Sequence, residues 1–284
     1  MDASTISRAV AAGVSTAQAS GLTVNDAVVL HDSNRVAVRL LPCDVLARIA
    51  YGSDQPSAEF EIEVAQRLTQ AGSPVATLEP RVEPRVQVFD GFVVTLWSYY
   101  ESLPSDNLVP SVYARALMHL HDGMRRIEVA AAHVTERVAK ARWLLGDRAR
   151  TPELVDTDRR LLLDTLRSLT RSIANRKANE QLLHGEPHPG NLLNTKAGPL
   201  FVDLETCCRG PVEFDIAHAP DKVADYYPAI DRDLLQMCRL LVLAMVTSWR
   251  WDRDDQLPDG RQRATEWLSQ LRAGLDECGL DVTR

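Results

Sequence analysis

Residues 184–193 read His-Gly-Glu-Pro-His-Pro-Gly-Asn-Leu-Leu, and residues 201–206 read Phe-Val-Asp-Leu-Glu-Thr. Two prolines and two glycines between 185 and 190 bar a regular helix from the first stretch. His184 and His188, four residues apart, are therefore not a helical metal pair. The apolar runs at Gln181–Leu183 and Leu192–Leu193 bury the ends of the loop and leave its polar middle to be presented. Asp203 follows Leu200-Phe201-Val202, so its carboxylate stands at the end of a buried strand and needs a cation or hydrogen-bond donors. Glu205 points the same way if that strand continues, and reads equally as a second ligand or a surface carboxylate.

Outward from this loop the chain changes character once. Ala27–His31, Val36–Leu41 and Val45–Ala50 are short β-branched or aliphatic runs, punctuated by Asp32-Ser33-Asn34-Arg35 and Pro42-Cys43-Asp44, and predict a three-stranded meander. Ser57–Ala71 has helical spacing at Phe60, Val64, Leu68 and Ala71 and stops at Gly72. Val86–Phe89 and Phe92–Trp97 flank Asp90-Gly91, a hairpin signal. Residues 1–20 hold no strong period and fit a helix or a loose arm. From Ser111 the pattern is mostly helical: Val112–Ile127, Pro152–Ala174 (its start marked by Thr151-Pro152-Glu153), Asp231–Trp249 and Arg261–Cys278. The expected fold class is α+β: a small antiparallel-sheet lobe over residues 1–97, a hinge at 98–102, and a helical lobe over 103–284 carrying the loop, with a cleft between the lobes.

The totals narrow the function classes. The chain has 284 residues, 45% of them apolar, enough for two packed lobes, and a net charge of −7. That charge, with no basic aromatic stripe, argues against nucleic acid as a partner. No run of eighteen apolar residues and no central apolar block in residues 1–20 are found, so neither a membrane span nor a signal peptide is expected. The five cysteines (Cys43, Cys207, Cys208, Cys238, Cys278) form no C-x-x-C pair, which suits a reducing cytoplasm better than a disulfide framework or zinc site. The oligomeric state is not legible.

Phosphoryl transfer needs a carboxylate near the attacking hydroxyl, and an amide oxygen and a second carboxylate for Mg²⁺. His184, Glu186 and Asn191 stand at the offsets of a His-x-Asp-x4-Asn catalytic loop, and Asp203 follows twelve residues after Asn191. The ordered blocks His184–Asn191, Val202-Asp203-Leu204-Glu205, Gly210-Pro211 and Asp215-Ile216-Ala217 resemble the aminoglycoside phosphotransferase/choline kinase-like family. The resemblance implies a two-lobed protein-kinase-like fold and transfer of the terminal phosphoryl group of ATP or GTP to a hydroxyl. It puts Glu186 at the catalytic-base position, Asn191 and Asp203 at Mg²⁺, and His184 and His188 as braces of the loop. Asp215 caps its helix or bonds to the loop. Arg48 falls where the family usually has a phosphate-binding Lys, and Arg is not equivalent to Lys in reach. Glu61 is its expected partner, with Glu59 and Glu63 as alternatives. Ser33 and Asn34 would lie over the phosphates, Ser98 and Tyr99 at an adenine-binding hinge, and His121 in packed structure.

Glu186 is the departure, since an Asp is expected there. One extra methylene moves a carboxylate by up to about 1.5 Å, and misplacement by about 1 Å can cost on the order of 10²-fold. A retracted backbone would let Glu186 serve as the base, and Glu186→Asp would then retain or improve transfer. The leading function is a small-molecule kinase whose acceptor is cationic, an aminoglycoside or other antibiotic. The reason is the run of Asp221, Asp225, Asp231, Asp233, Asp252, Asp254, Asp255 and Asp259 with Trp249 and Trp251. The alternatives are a nucleotide-binding pseudokinase and a metabolic amino-alcohol or sugar kinase.

Overall fold

The protein is described from a computed structural model covering residues 3–32, 35–52, 55–104 and 108–278. It divides into two compact units, Met1–Val129 with Pro189–Thr206, and Ala130–His188 with Cys207–Arg284.

In the first unit, helix α1 (Ala3–Ala19) buries Ala9, Ala12, Gly13, Thr16 and Ala17. This stripe of small residues is a helical face that hydrophobic periodicity barely registers. Gly13 approaches the sheet closely: a Cβ there would lie 2.8 Å from Ile49 Cδ1. The sheet comprises β1 (Val24–Asp32), β2 (Val36–Pro42), β3 (Val45–Tyr51), β4 (Gln87–Phe89) and β5 (Phe92–Ser98). Its order is β1-β2-β3-β5-β4, antiparallel throughout. Val36, Val38, Leu40, Val45, Ala47 and Ile49 form one core with α1, Phe92, Val94 and Leu96. Strand alternation therefore puts Arg48 on the opposite face, level with Ala37 and Thr95. Asp90 and Gly91 both have positive φ, +50° and +78°, as a tight two-residue hairpin requires.

Helix α2 (Gln55–Gln70) turns Ala58, Ile62, Ala65 and Leu68 inward, and Glu61 with them. Helix α3 (Pro110–Met124) and residues 189–206 fall in the same unit as the sheet. The hairpin of β7 (Leu192–Thr195) and β8 (Gly198–Phe201) is tied to residues 74–76. Phe201 N–H donates to Pro74 O at 2.8 Å, and Ala76 N–H to Phe201 O at 3.0 Å. The buried Phe201 ring meets Tyr113 edge-on at 6.1 Å.

The second unit holds α4 (Val134–Gly146), α5 (Asp156–Asn175), α6 (Val212–His218), α7 (Arg232–Arg250) and α8 (Gly260–Glu277). It also holds an antiparallel pair, β6 (Glu180–Leu183) with β9 (Cys208–Pro211). Val138, Leu145, Leu162, Leu166, Phe214, Leu241, Met245 and Leu271 lie in its core. Helix α5 begins at Asp156, not at Pro152. The carbonyls of Thr151 and Leu154 turn instead to the buried Arg159 guanidinium, at 2.9 and 3.1 Å, which holds residues 151–154 as a turn.

Candidate active site

Within the first unit a cavity of about 590 Å³ opens against the sheet. Arg35, Arg48, Asn191, Asp203 and Glu205 supply its charged and polar lining, and Trp97, Ser98, Tyr99 and Tyr100 line it as well, with the Arg48 guanidinium 5.8 Å from the centre of the Trp97 ring. Val36, Leu46, Ala76, Leu193 and Phe201 supply apolar walls.

The charged lining is built around Glu61, which is fully buried. Its Oε1 accepts from Arg48 and from Leu204 N–H (3.1 Å), and its Oε2 from Arg35 at 2.8 Å. Three donors compensate a carboxylate that could not be buried alone. Arg48 also donates to Asp203 Oδ1. Burial would pull the Arg48 pKa down, but Glu61 and Asp203 more than offset it, and the pKa is raised. Glu59 and Glu63 are taken by Gln55 and Arg67 on the exposed side of α2, so Glu61 is the partner of Arg48.

Asp203 sits at φ +67°, a left-handed conformation that aspartate tolerates better than most residues. Its neighbours pin it there, with Val202 N–H on Asn191 O at 3.0 Å and Leu204 N–H on Glu61. The strand does not continue to Glu205: β8 ends at Phe201 and Leu204–Thr206 is a 3₁₀ turn. Alternation therefore does not place Glu205. It reaches the cavity rim by accepting from Arg35 and from Ser57 Oγ, the latter at 3.2 Å.

Thr77 Oγ1 donates to Ser98 Oγ (3.2 Å), Ser98 N–H donates to Thr77 O (3.0 Å), and Arg39 lies over the Tyr99 ring at 3.9 Å. Ser33 and Asn34 lie outside the described residues. Replacing Glu61 by Gln should loosen Arg48 and Arg35 together. Nucleotide affinity should then fall roughly 10-fold, about 1.4 kcal/mol, which titration calorimetry would read. Unchanged affinity would remove Glu61 from the site.

In the second unit the loop that opens the motif is held by Asp215. This fully buried carboxylate accepts from His184 N–H and Gly185 N–H, both at 2.8 Å. It does not cap its helix: α6 starts after Pro211, and Asp215 lies inside it. The loop-bonding reading is the observed one. Gly185 at φ +89° makes the turn. His184 is buried and its Nδ1 accepts from Glu186 N–H at 3.4 Å, while His188 N–H donates to Glu186 O at 2.8 Å. The Glu186 carboxylate is paired with Arg137 of α4. Burial, then Arg137, push the His218 imidazole down to about 3, so it is neutral near pH 7. Burial pushes the Cys208 thiol up to about 12, which leaves no thiolate for chemistry.

Glu186 belongs to one unit and Asn191 and Asp203 to the other. The structure brings Arg48, Glu61, Asp203 and Glu205 together and lays Asn191 along the same cavity. Arg137 was not singled out from the sequence, and Arg35 only as the last residue of the Asp32-Ser33-Asn34-Arg35 turn, without its partners. No periodicity marks an arginine whose partner lies 26 or 49 residues away.

Among the described residues no group of three or more His, Cys, Asp or Glu forms a metal cage, and no helix is long and apolar enough to cross a membrane. Mg²⁺ needs no such cage, being bound through one or two protein oxygens plus substrate phosphates. Asn191 and Asp203 are hard oxygen donors of that kind.

Comparisons with known proteins agree with this construction. Residues 18–238 match the model of the phosphotransferase enzyme family. No curated protein matches the chain. Among solved structures, a choline/ethanolamine kinase family protein from Mesorhizobium loti superposes with a TM-score of 0.65 at 16% identity, covering 95% of this chain and 94% of that one. An amicoumacin kinase in complex with AMP-PNP, Ca²⁺ and Ami gives 0.67 at 11%, covering 96% of each chain. The GDP complex of aminoglycoside 2'-phosphotransferase-IIIa gives 0.65 at 14%, covering 92% and 96%. The fold is the two-lobed protein-kinase-like one, with an antiparallel sheet and a helical lobe, and it houses a small-molecule phosphotransferase acting on hydroxyl acceptors. The chain belongs to the phosphotransferase enzyme family.

Proposed function

We propose that the protein moves the terminal phosphoryl group of ATP or GTP to a hydroxyl of a small molecule, with Mg²⁺ as cofactor. The cavity supports this most directly. Its lining joins arginines and carboxylates to aromatic rings and apolar walls, as the phosphates and base of a nucleotide call for, and its volume is ordinary for a ligand site. In this reading residues 1–97 are the nucleotide lobe, 98–102 the hinge and 103–284 the lobe with the catalytic loop. Arg48, held by Glu61, exchanges Asp203 for phosphate oxygens. Asn191 and Asp203 hold Mg²⁺, which when bound neutralises charge on the phosphates. Ser98 and Tyr99 receive the base. Glu186 accepts a hydrogen bond from the acceptor hydroxyl, while His184, His188 and Asp215 keep its loop in place. The five cysteines are free, which suits a reducing cytoplasm.

The acidic run does not by itself favour a cationic acceptor. Seven of its eight aspartates form ion pairs: Asp221 with Arg239, Asp225 with Arg232, Asp231 and Asp233 with Arg176, Asp252 and Asp254 with Arg150, and Asp255 with Arg250. Five of these aspartates are at least 45% exposed and their pairs are weak surface contacts, so the run does not decide the charge of the acceptor, and amino alcohols and neutral sugars stand beside cationic antibiotics. The test is a panel of all three classes incubated with MgATP or MgGTP and read by mass spectrometry. Phosphate addition to one class, abolished by chelating the metal, is the expected result. Nucleotide binding with neither transfer nor hydrolysis would leave a pseudokinase.

A further inference from the structure

The Glu186 carboxylate has Arg137 as its ion-pair partner. Arg137 stands in the first turn of α4, on the face that carries Val134 and Ala141 into the core. Its guanidinium lies 5.7 Å from the centre of the Trp249 ring, and its Nη2 donates to Glu186 Oε1. The two side chains are only 15% and 20% exposed, so the pair is more than a solvated surface contact. The backbone beneath Glu186 is fixed on both sides, by Asp215 on His184 and Gly185 and by His188 N–H on Glu186 O. With the backbone pinned, side-chain length and partner decide where the carboxylate sits.

We propose that Arg137 is a positioning residue for phosphoryl transfer, and that the extra methylene of Glu186 is what lets the loop carboxylate meet it. The proposal rests on the reading that Glu186 receives the acceptor hydroxyl. An aspartate would fall short by roughly one C–C bond, about 1.5 Å, and a charge-assisted hydrogen bond does not stretch that far. Arg137 cannot follow, because its stem is on a packed helix face and its head is over Trp249. The expectation that Glu186→Asp retains or improves transfer is thereby reversed for the native chain, and holds only where Arg137 is gone.

The experiment is a double-mutant cycle with Mg²⁺-dependent ATP hydrolysis as the probe, water serving as acceptor. Native protein, Arg137→Met, Glu186→Asp and the double variant are compared for kcat, KM for ATP and melting temperature. Methionine keeps an unbranched stem against Trp249. Arg137→Met is expected to lower kcat about 10²-fold, the cost of a carboxylate misplaced by about 1 Å, with KM for ATP within about twofold. Glu186→Asp should lower kcat similarly when Arg137 is present, and cause no further loss, or a gain, in the Arg137→Met background. If Arg137→Met does not fold, Arg137→Lys enters the same cycle: charge without the planar fork should give a smaller kcat loss at unchanged KM for ATP. Native kcat in either Arg137 variant, or losses that simply multiply in the double variant, would overturn the proposal. A native chain that neither hydrolyses ATP nor phosphorylates any member of the acceptor panel would instead remove the phosphotransfer reading, and Arg137's role with it; a chain that transfers only to an acceptor takes the same cycle with that acceptor in place of water.

Discussion

Asp203→Asn is expected to lower Mg²⁺-dependent phosphoryl transfer on the order of 10³-fold, about 4 kcal/mol of transition-state stabilisation. It should leave the protein folded. The substitution keeps the shape of the side chain and its tolerance for φ +67°, and removes only the charge. Arg48 retains its second carboxylate, Glu61, so no guanidinium is stranded. Asp203 is 28% exposed, and the lost ion pair should cost no more than about 1 kcal/mol of stability. The loss of rate therefore belongs to charge neutralisation at the phosphates, which dominates this chemistry. Steady-state turnover and a thermal melt on the same sample check it. Turnover within tenfold of native would end the metal assignment.

Asp215→Ala should produce the largest loss of stability of any single substitution in the site, about 3–5 kcal/mol. Two backbone N–H groups, on His184 and Gly185, would be left buried without their acceptor. For a protein of this size that is a fall in Tm of roughly 10 °C. The kcat should fall as well, because the same two bonds fix the backbone that carries Glu186. Chemical denaturation read by circular dichroism measures the first effect. A destabilisation below about 1 kcal/mol would mean that the loop is held by other contacts.

The parts of this protein that were legible in its sequence are those with local signals. The meander and the Asp90-Gly91 hairpin follow from period-two runs and turn residues, and the helix that carries Glu61 from its spacing, while Glu61 itself was reached through resemblance with Glu59 and Glu63 left open. Helix α1 was left open because its buried face is alanine, glycine and threonine, which carry little hydrophobic contrast. The start of α5 was misplaced because Pro152 is a good helix opener in isolation. Only the distant Arg159 guanidinium, by claiming the carbonyls of 151 and 154, overrules it. Glu205 was placed by strand alternation, a local rule, and Asp215 was left between capping its helix and bonding to the loop, a choice that no local rule decides. Their actual partners, Arg35, Ser57 and the amides of 184 and 185, are set by tertiary packing. The Arg48–Asp203 pair spans 155 residues and was not foreseen, since the sequence reading gave Arg48 only Glu61 as a partner.

The cations that line this cavity are the guanidinium groups of Arg35 and Arg48, and neither lysine nor cysteine is among the described residues that line it. Guanidinium is never deprotonated at working pH and is a poor nucleophile. Electrophilic nucleotide analogues that brand such pockets by acylating an amine or alkylating a thiol find no handle here. Among the described residues that line it, the imidazole of His31 and the phenols of Tyr99 and Tyr100 are better attachment points, so covalent inhibitors of this protein call for histidine- or tyrosine-directed warheads.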